Sequence, residues 1–265
     1  MLKLEHISKT FNKGTINEKT ALNDLNLHLA AGDFVTVIGG NGAGKSTMLN
    51  AVAGVWPVDD GRITLNGTDI TALPEYRRAP LIGRVFQDPM MGTAPNMQVE
   101  ENLALALRRG QRRSLRWGVT AVEKERYREL LKPLGLGLED RMSTKVGLLS
   151  GGQRQALTLL MASLRKPELL LLDEHTAALD PGTAQKVLEL SDRLVEEGRL
   201  TAMMITHNMS DAISHGNRLI MMNQGKIILD IKGEEKKRLT KQLLMDLFAE
   251  LSGTQLENDQ VLLSK

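Results

Sequence analysis

Apolar and polar residues alternate through the first thirty positions, with Leu2, Leu4 and Ile7 followed by Leu22, Leu25, Leu27 and Leu29. This period of two predicts antiparallel strands around a turn near Asn12 to Gly14. Phe34-Val35-Thr36-Val37-Ile38 is an apolar, β-branched run and predicts a buried strand. Arg62-Ile63-Thr64-Leu65 ends at Asn66-Gly67, the signal of a type I′ hairpin. After Val85-Phe86-Gln87 the character changes. Residues 89 to 165 carry helical spacing almost throughout, with Val99, Leu103, Leu105 and Leu107 on one segment and Val122, Leu130 and Leu131 on another. From Leu169 strands and helices alternate again: a buried strand to Leu172, a helix from about Gly182 to Glu197, a strand at Met203 to Thr206 and a hairpin around Asn223-Gln224-Gly225. Lys236 onward predicts a charged amphipathic helix through Leu239, Leu243, Leu244 and Leu247, then a polar tail. The expected organisation is one α/β domain over residues 1–250, with a helical subdomain at about 89–165 inserted in it, and a tail at 251–265.

Composition narrows the class without naming it. The chain has 265 residues, 42% hydrophobic and 25% charged, which are globular values. Lys and Arg number 34 against 32 Asp and Glu, a formal +2, too even a balance to imply nucleic acid. There is no cysteine, so disulfides and thiolate metal sites are excluded. The longest clean apolar runs, such as Leu169 to Leu172, fall far short of a membrane span, and Met1 to Ile7 alternates like a strand rather than a signal-peptide core. The expected location is therefore the compartment of synthesis. Arg108, Arg109, Arg112, Arg113 and Arg116, beside Trp117, form the one strongly basic stretch. It reads equally as a solvated loop or as a surface approaching anionic lipid headgroups.

Two strings carry chemistry. Gly39-Gly40-Asn41-Gly42-Ala43-Gly44-Lys45-Ser46 fits the phosphate-loop spacing of Gly, four residues, Gly-Lys-Ser, and follows the predicted strand at 34 to 38. Its glycines admit backbone conformations closed to other residues, so successive N–H groups can converge on one anion at a helix N-terminus. Lys45 would reach the β and γ phosphates and Ser46 would place its hydroxyl on Mg²⁺, with Thr47 beside it. In Leu149-Ser150-Gly151-Gly152-Gln153 the last four residues open a helix, Arg154 to Leu164, whose N-terminal amides, with Ser150 as cap, make a second anion site. Leu169-Leu170-Leu171-Leu172-Asp173-Glu174 is a buried strand ending in two carboxylates.

With Gln87, Asp180 and His207 in the same order, residues 1 to about 230 resemble the ATP-binding cassette (ABC) ATPases. The resemblance implies a P-loop NTPase (RecA-like) α/β core, an antiparallel β subdomain and the inserted α-helical subdomain. It implies that Asp173 holds Mg²⁺ and Glu174 acts as general base, that Gln87 reaches metal and water, and that His207 contacts the γ phosphate. Asp180 matches the loop that passes between subunits. Phe11 stands where the family places an aromatic that stacks on adenine, with core packing as its other reading. The family sandwiches ATP between Lys45 of one subunit and Ser150 to Gln153 of another, which implies a head-to-tail dimer with a second copy. Two residues depart from the pattern: His175 replaces the usual proline, leaving the turn less rigid, and Asn208 replaces aspartate.

The resemblance also implies a motor for a separate transmembrane permease at the cytoplasmic face of the membrane. Its permease groove would be walled by residues near Met90 to Glu101, with Met90, Met91 and Met97 as contacts; the other reading makes these methionines core. Thr144-Lys145-Val146-Gly147 lacks the acidic, arginine-bearing loop of many exporters, which favours an importer served by an extracytoplasmic substrate-binding protein. The wording around 87 to 104, with Glu174-His175-Thr176, looks most like amino-acid importers, including aromatic ones. A soluble assembly machine, such as one for iron–sulfur clusters, and a non-hydrolysing binding module are the alternatives.

Overall fold

The computed structural model describes residues 1–111 and 118–252. In chain order the strands are β1 (Leu2–Phe11), β2 (Lys19–Leu29), β3 (Phe34–Ile38), β4 (Asp60–Leu65), β5 (Thr68–Asp69), β6 (Ile82–Val85), β7 (Leu169–Asp173), β8 (Thr201–Ile205), β9 (Arg218–Asn223) and β10 (Lys226–Lys232). The α-helices are α1 (Lys45–Ala53), α2 (Glu75–Arg78), α3 (Val99–Leu107), α4 (Ala121–Leu131), α5 (Gly151–Ser163), α6 (Pro181–Gly198), α7 (Met209–Ser214), α8 (Glu234–Lys237) and α9 (Lys241–Ser252). Contacts divide the chain into two compact units, one of Met1–Arg78 with Arg199–Lys265, the other of Ala79–Gly198.

In the first unit β2, β1, β4 and β5 form an antiparallel sheet in that order. The Asn66-Gly67 turn has positive φ at both residues, as a type I′ hairpin requires. A second set of strands runs β10, β9, β3, β8, with β3 parallel to both β8 and β9. All five residues of β3 and of β8 are buried, which is why both read as continuous apolar runs rather than alternating ones. Beneath β9 and β10, Ile38, Met209, Leu219, Met221, Leu244 and Phe248 close a core with α7 and α9.

The C-terminal helix differs from its sequence pattern. It is broken into α8 and α9, and the Thr240 hydroxyl accepts from the Leu243 amide at 3.2 Å to start the second. Lys236 is buried, not a solvated charge. Its ammonium donates to the carbonyls of His215, Gly216 and Arg218.

In the second unit β6 and β7 pair in parallel, with Val85 opposite Leu172. Val99, Leu103, Tyr127, Leu131, Leu157 and Leu160 pack α3, α4 and α5 around one core. Helical structure here is less continuous than the spacing suggests. Residues 89–98 form turns, and 132–134 and 146–148 are short 3₁₀ segments. α5 begins at Gly151, with Ser150 as the expected N-cap and Gln153 completing the capping box. Of the basic stretch, Arg112, Arg113, Arg116 and Trp117 lie outside the described residues, as does the tail from 253.

Candidate functional site

The phosphate loop is held from outside. A Cβ on Gly39 would lie 2.2 Å from the Met222 carbonyl oxygen, and one on Gly44 would lie 2.5 Å from that of Ala21. Both have positive φ, 150° and 102°. The Gly225 amide donates to the Ala43 carbonyl at 2.9 Å, so the β9–β10 turn props the loop. The sequence marks Asn223-Gln224-Gly225 as a hairpin turn, but the loop residue it props lies some 180 residues away and leaves no local signal.

Asn41, Gly42 and Ser46 are exposed, Gly39, Gly40 and Thr47 half-buried, and Ala43 and Gly44 buried. Lys45 is 5% exposed, and its ammonium donates to the carbonyls of Gly39 (2.7 Å) and Gly40 (3.2 Å). No side chain caps α1 at Gly44, so its first amides face the loop.

The β3–β8 register pairs Val37 with Ile205, which brings the end of β8 beside the loop. His207 accordingly lines one small pocket with Ile38, Gly39, Gly40, Thr206, Met209 and Phe248. Asn208 caps α7 by accepting from the amides of Ser210 (2.8 Å) and Asp211 (3.4 Å), a role open to aspartate as well. Phe11, half-buried, meets Trp56 edge to face at 4.9 Å, with the Lys9 ammonium 5.6 Å from its ring centre. Trp56 is a member of this aromatic corner that the sequence did not single out.

The second unit carries the remaining residues. Parallel pairing of β6 and β7 delivers Gln87 and Glu174 off the same ends of adjacent strands. Gln87 is exposed, and Asp173 and Glu174 are half-buried. Asp173 accepts from the Arg84 guanidinium at 3.3 Å, and that guanidinium stacks 4.5 Å from the Phe86 ring centre. Arg84 was not legible as a site residue, because in sequence it is one polar position in a short strand.

Glu174 has φ 46°, a left-handed conformation uncommon outside glycine. His175 is buried, and its Nε2 lies 2.9 Å from the Ser191 Oγ, which itself donates to the Val187 carbonyl at 2.8 Å. With the hydroxyl proton so committed, the imidazole Nε2–H donates. The His175 side chain thus ties the turn after Glu174 to α6, a contact that the usual proline could not make.

Ser150 and Gln153 form a reciprocal capping box at 3.2 Å. Gln153 also accepts from Arg141 (3.2 Å) and donates to the Leu136 carbonyl (3.0 Å), so its side chain points into the fold. A Cβ on Gly152 would sit 2.1 Å from the Thr183 methyl, and one on Gly151 3.4 Å from Leu179, which seats the start of α5 on the residues around Asp180. Asp180 is exposed and accepts from the Thr183 amide at 3.0 Å. Hydrogen bonds from the Thr183 hydroxyl and amide hold its carboxyl below the usual range. Buried Gln155 donates to the Phe86 carbonyl at 3.3 Å and ties α5 to the segment bearing Gln87.

A groove of about 1050 Å³ opens in this unit, lined by Met91, Thr93, Asn102, Arg109 and Met161 among others. Met91 is exposed, whereas Met97 is half-buried and lines a separate, smaller groove with Glu101 and Lys124.

A strand, glycine loop and uncapped helix on parallel strands, with paired carboxylates ending another strand, define a P-loop NTPase. The model of the ABC transporter family matches residues 22–177. A tyrosine transport ATP-binding protein of Clostridioides difficile is 44% identical over 252 residues, covering 94% of this chain and 98% of the relative. A phosphonates import ATP-binding protein of Lactococcus lactis is 33% identical, over 94% and 98%. A dimeric ATP-binding cassette in a post-hydrolysis state, bound to ADP and Pi, superposes with a TM-score of 0.73 at 30% identity, covering 88% of this chain and 98% of that one. The chain belongs to the ABC transporter family, and it is an ATP-binding cassette ATPase. No helix among the described residues is long and apolar enough to cross a membrane.

Proposed function

We propose that this chain hydrolyses ATP to drive import of an amino acid, tyrosine or a similar aromatic one, through a separate transmembrane permease. The observation that carries this is the 44% identity with a tyrosine transport ATP-binding protein along nearly the whole of both chains. Residues 1–250 act as one nucleotide-binding domain with the helical part set into it. Two copies meet head to tail, so that Ser150, Gly151, Gly152 and Gln153 of one face the phosphates held by Gly39 to Thr47 of the other. The complex sits at the cytoplasmic face of the membrane and is fed by an extracytoplasmic substrate-binding protein. The groove beside Met91 receives the permease.

In the site, Lys45 and the α1 amides bind phosphate and Phe11 supports adenine. Glu174, at the end of its strand in a left-handed backbone conformation, takes a proton from the attacking water. Gln87 and His207 orient water and γ phosphate, and Asp180 lies at the subunit boundary. Following the family resemblance, Ser46, Asp173 and Gln87 would each offer an oxygen donor of the kind Mg²⁺ takes, the metal filling the rest of its shell with water and phosphate oxygens. Bound Mg²⁺ would neutralise phosphate charge; the Arg84 guanidinium lies 3.3 Å from the Asp173 carboxylate.

Uptake of labelled tyrosine in cells carrying only Glu174→Gln tests the reading. Uptake and ATP turnover are both expected to fall by about a hundredfold or more, with ATP binding kept. Tyrosine uptake unchanged alongside lost turnover would reject the substrate, and unchanged turnover would reject Glu174 as the base.

A further inference from the structure

The phosphate loop has a second cation beside it. A Cβ added to Gly42 would lie 2.9 Å from the Lys19 Nζ, so that ammonium rests against the exposed tip of the loop. The antiparallel register of β1 and β2 pairs Lys19 with Phe11, so the same residue stands across the ladder from the aromatic proposed to support the base. Lys19 thus bridges the two ends of the nucleotide site within one unit. Its side chain leaves from an exposed position at the start of β2, whereas Lys45 is buried and folded onto the Gly39 and Gly40 carbonyls.

We propose that Lys19 is a further nucleotide-binding residue, which contacts the phosphate nearest the ribose. The inference rests on the reading of Gly39 to Thr47 as the phosphate site. The location separates the work of the two lysines. A cation between loop tip and base platform meets a phosphate that ATP and ADP share, so its attraction is the same before and after γ-phosphate cleavage. Such uniform binding lowers KM without raising kcat. Lys45, deep in the loop, acts on the phosphates that change. Because Lys19 is exposed, its contribution is screened by salt.

The test is binding of ATP and of ADP to the full chain by calorimetry, with steady-state turnover, for Lys19→Met, Lys19→Arg and Lys45→Met. Lys19→Met is expected to weaken ATP and ADP alike by about fivefold to tenfold, to lower kcat/KM by that factor through KM, and to lose the difference as ionic strength rises. Lys19→Arg restores the affinity. Unchanged affinities in Lys19→Met, or a loss for ATP alone, would overturn the proposal while leaving the phosphate site intact. Wild-type turnover in Lys45→Met would instead overturn the phosphate-site reading itself.

Discussion

Two helices in this chain begin with glycines at a proposed phosphate site, and they are built in opposite ways. At α1 the N-cap is Gly44 with φ 102° and no side-chain cap, and the loop's shape comes from distant backbone at Ala21, Met222 and Gly225. At α5 the cap is written into the adjacent sequence, with Ser150 and Gln153 satisfying each other's amides. The glycines differ accordingly. Gly39 and Gly44 supply conformations that a side chain resists, while Gly152 supplies room for the Thr183 methyl. One helix start is moulded by tertiary contacts and has no side-chain cap; the other is locally complete and owes its glycine to a neighbour.

The sharpest way to break this contrast is to add one methyl group at each start. Gly39→Ala would drive its Cβ into a backbone carbonyl at 2.2 Å in a strained conformation, and no side-chain change can relieve that. A cost of at least about 3 kcal/mol is expected, seen in nucleotide titration as near-complete loss of ATP affinity. Gly152→Ala meets only the Thr183 methyl, 2.1 Å away. Thr183→Ser removes that methyl and should return most of the lost stability and turnover in the double variant. Equal rescue at both sites would erase the distinction.

The same contrast explains what the sequence could and could not reveal. Strands β3, β7 and β8 were legible because strands buried on both faces are unbroken apolar runs. Walker-type spacing and the Ser150-x-x-Gln153 box were legible because their chemistry is local. Gly225 under the loop, Arg84 on Asp173, Gln155 on Phe86 and Lys19 at Gly42 were not, since each acts through a partner far away in the chain. Positive φ at Glu174 was hidden for a different reason: glutamate has no preference for that conformation, so only the surrounding fold imposes it. Likewise the charge of Lys236 suggested solvent, whereas the carbonyls that bury it belong to residues 215 to 218.

External moulding of α1 extends to its other end, which offers a second and smaller test. Buried Arg78 donates from Nη1 to the carbonyls of Ala51 and Val52, both at 2.8 Å, and from Nε and Nη2 to those of Leu73 (2.7 Å) and Thr71 (3.0 Å). The guanidinium therefore satisfies last-turn carbonyls and sets positive charge against the negative end of the helix dipole. Arg78→Met keeps the stem and removes the donors. A loss of about 2–4 kcal/mol in denaturant unfolding is expected, with weaker ATP binding because the helix that carries Lys45 loses its seat. If stability falls but the affinity of the remaining folded protein is unchanged, the loop's shape is set at its N-terminal end alone.

The smallest effect belongs to the self-sufficient helix. Ser150→Ala deletes one half of the capping box and leaves the Gln153 amide without its 3.2 Å acceptor, at a cost of about 1 kcal/mol. Thermal unfolding should move by about 2–4 °C for a chain of this size. Gln153 remains held by Arg141 and Leu136, so α5 stays in place and the stability change is confined to one hydrogen bond. That makes turnover the informative reading. A loss of turnover much larger than the stability change, at temperatures where the variant is folded, would mean that the Ser150 hydroxyl acts on the nucleotide of a second copy as well as on its own helix. A loss no larger than that would make Ser150 a cap and nothing more, leaving the Gly151 and Gly152 amides to carry the second anion site.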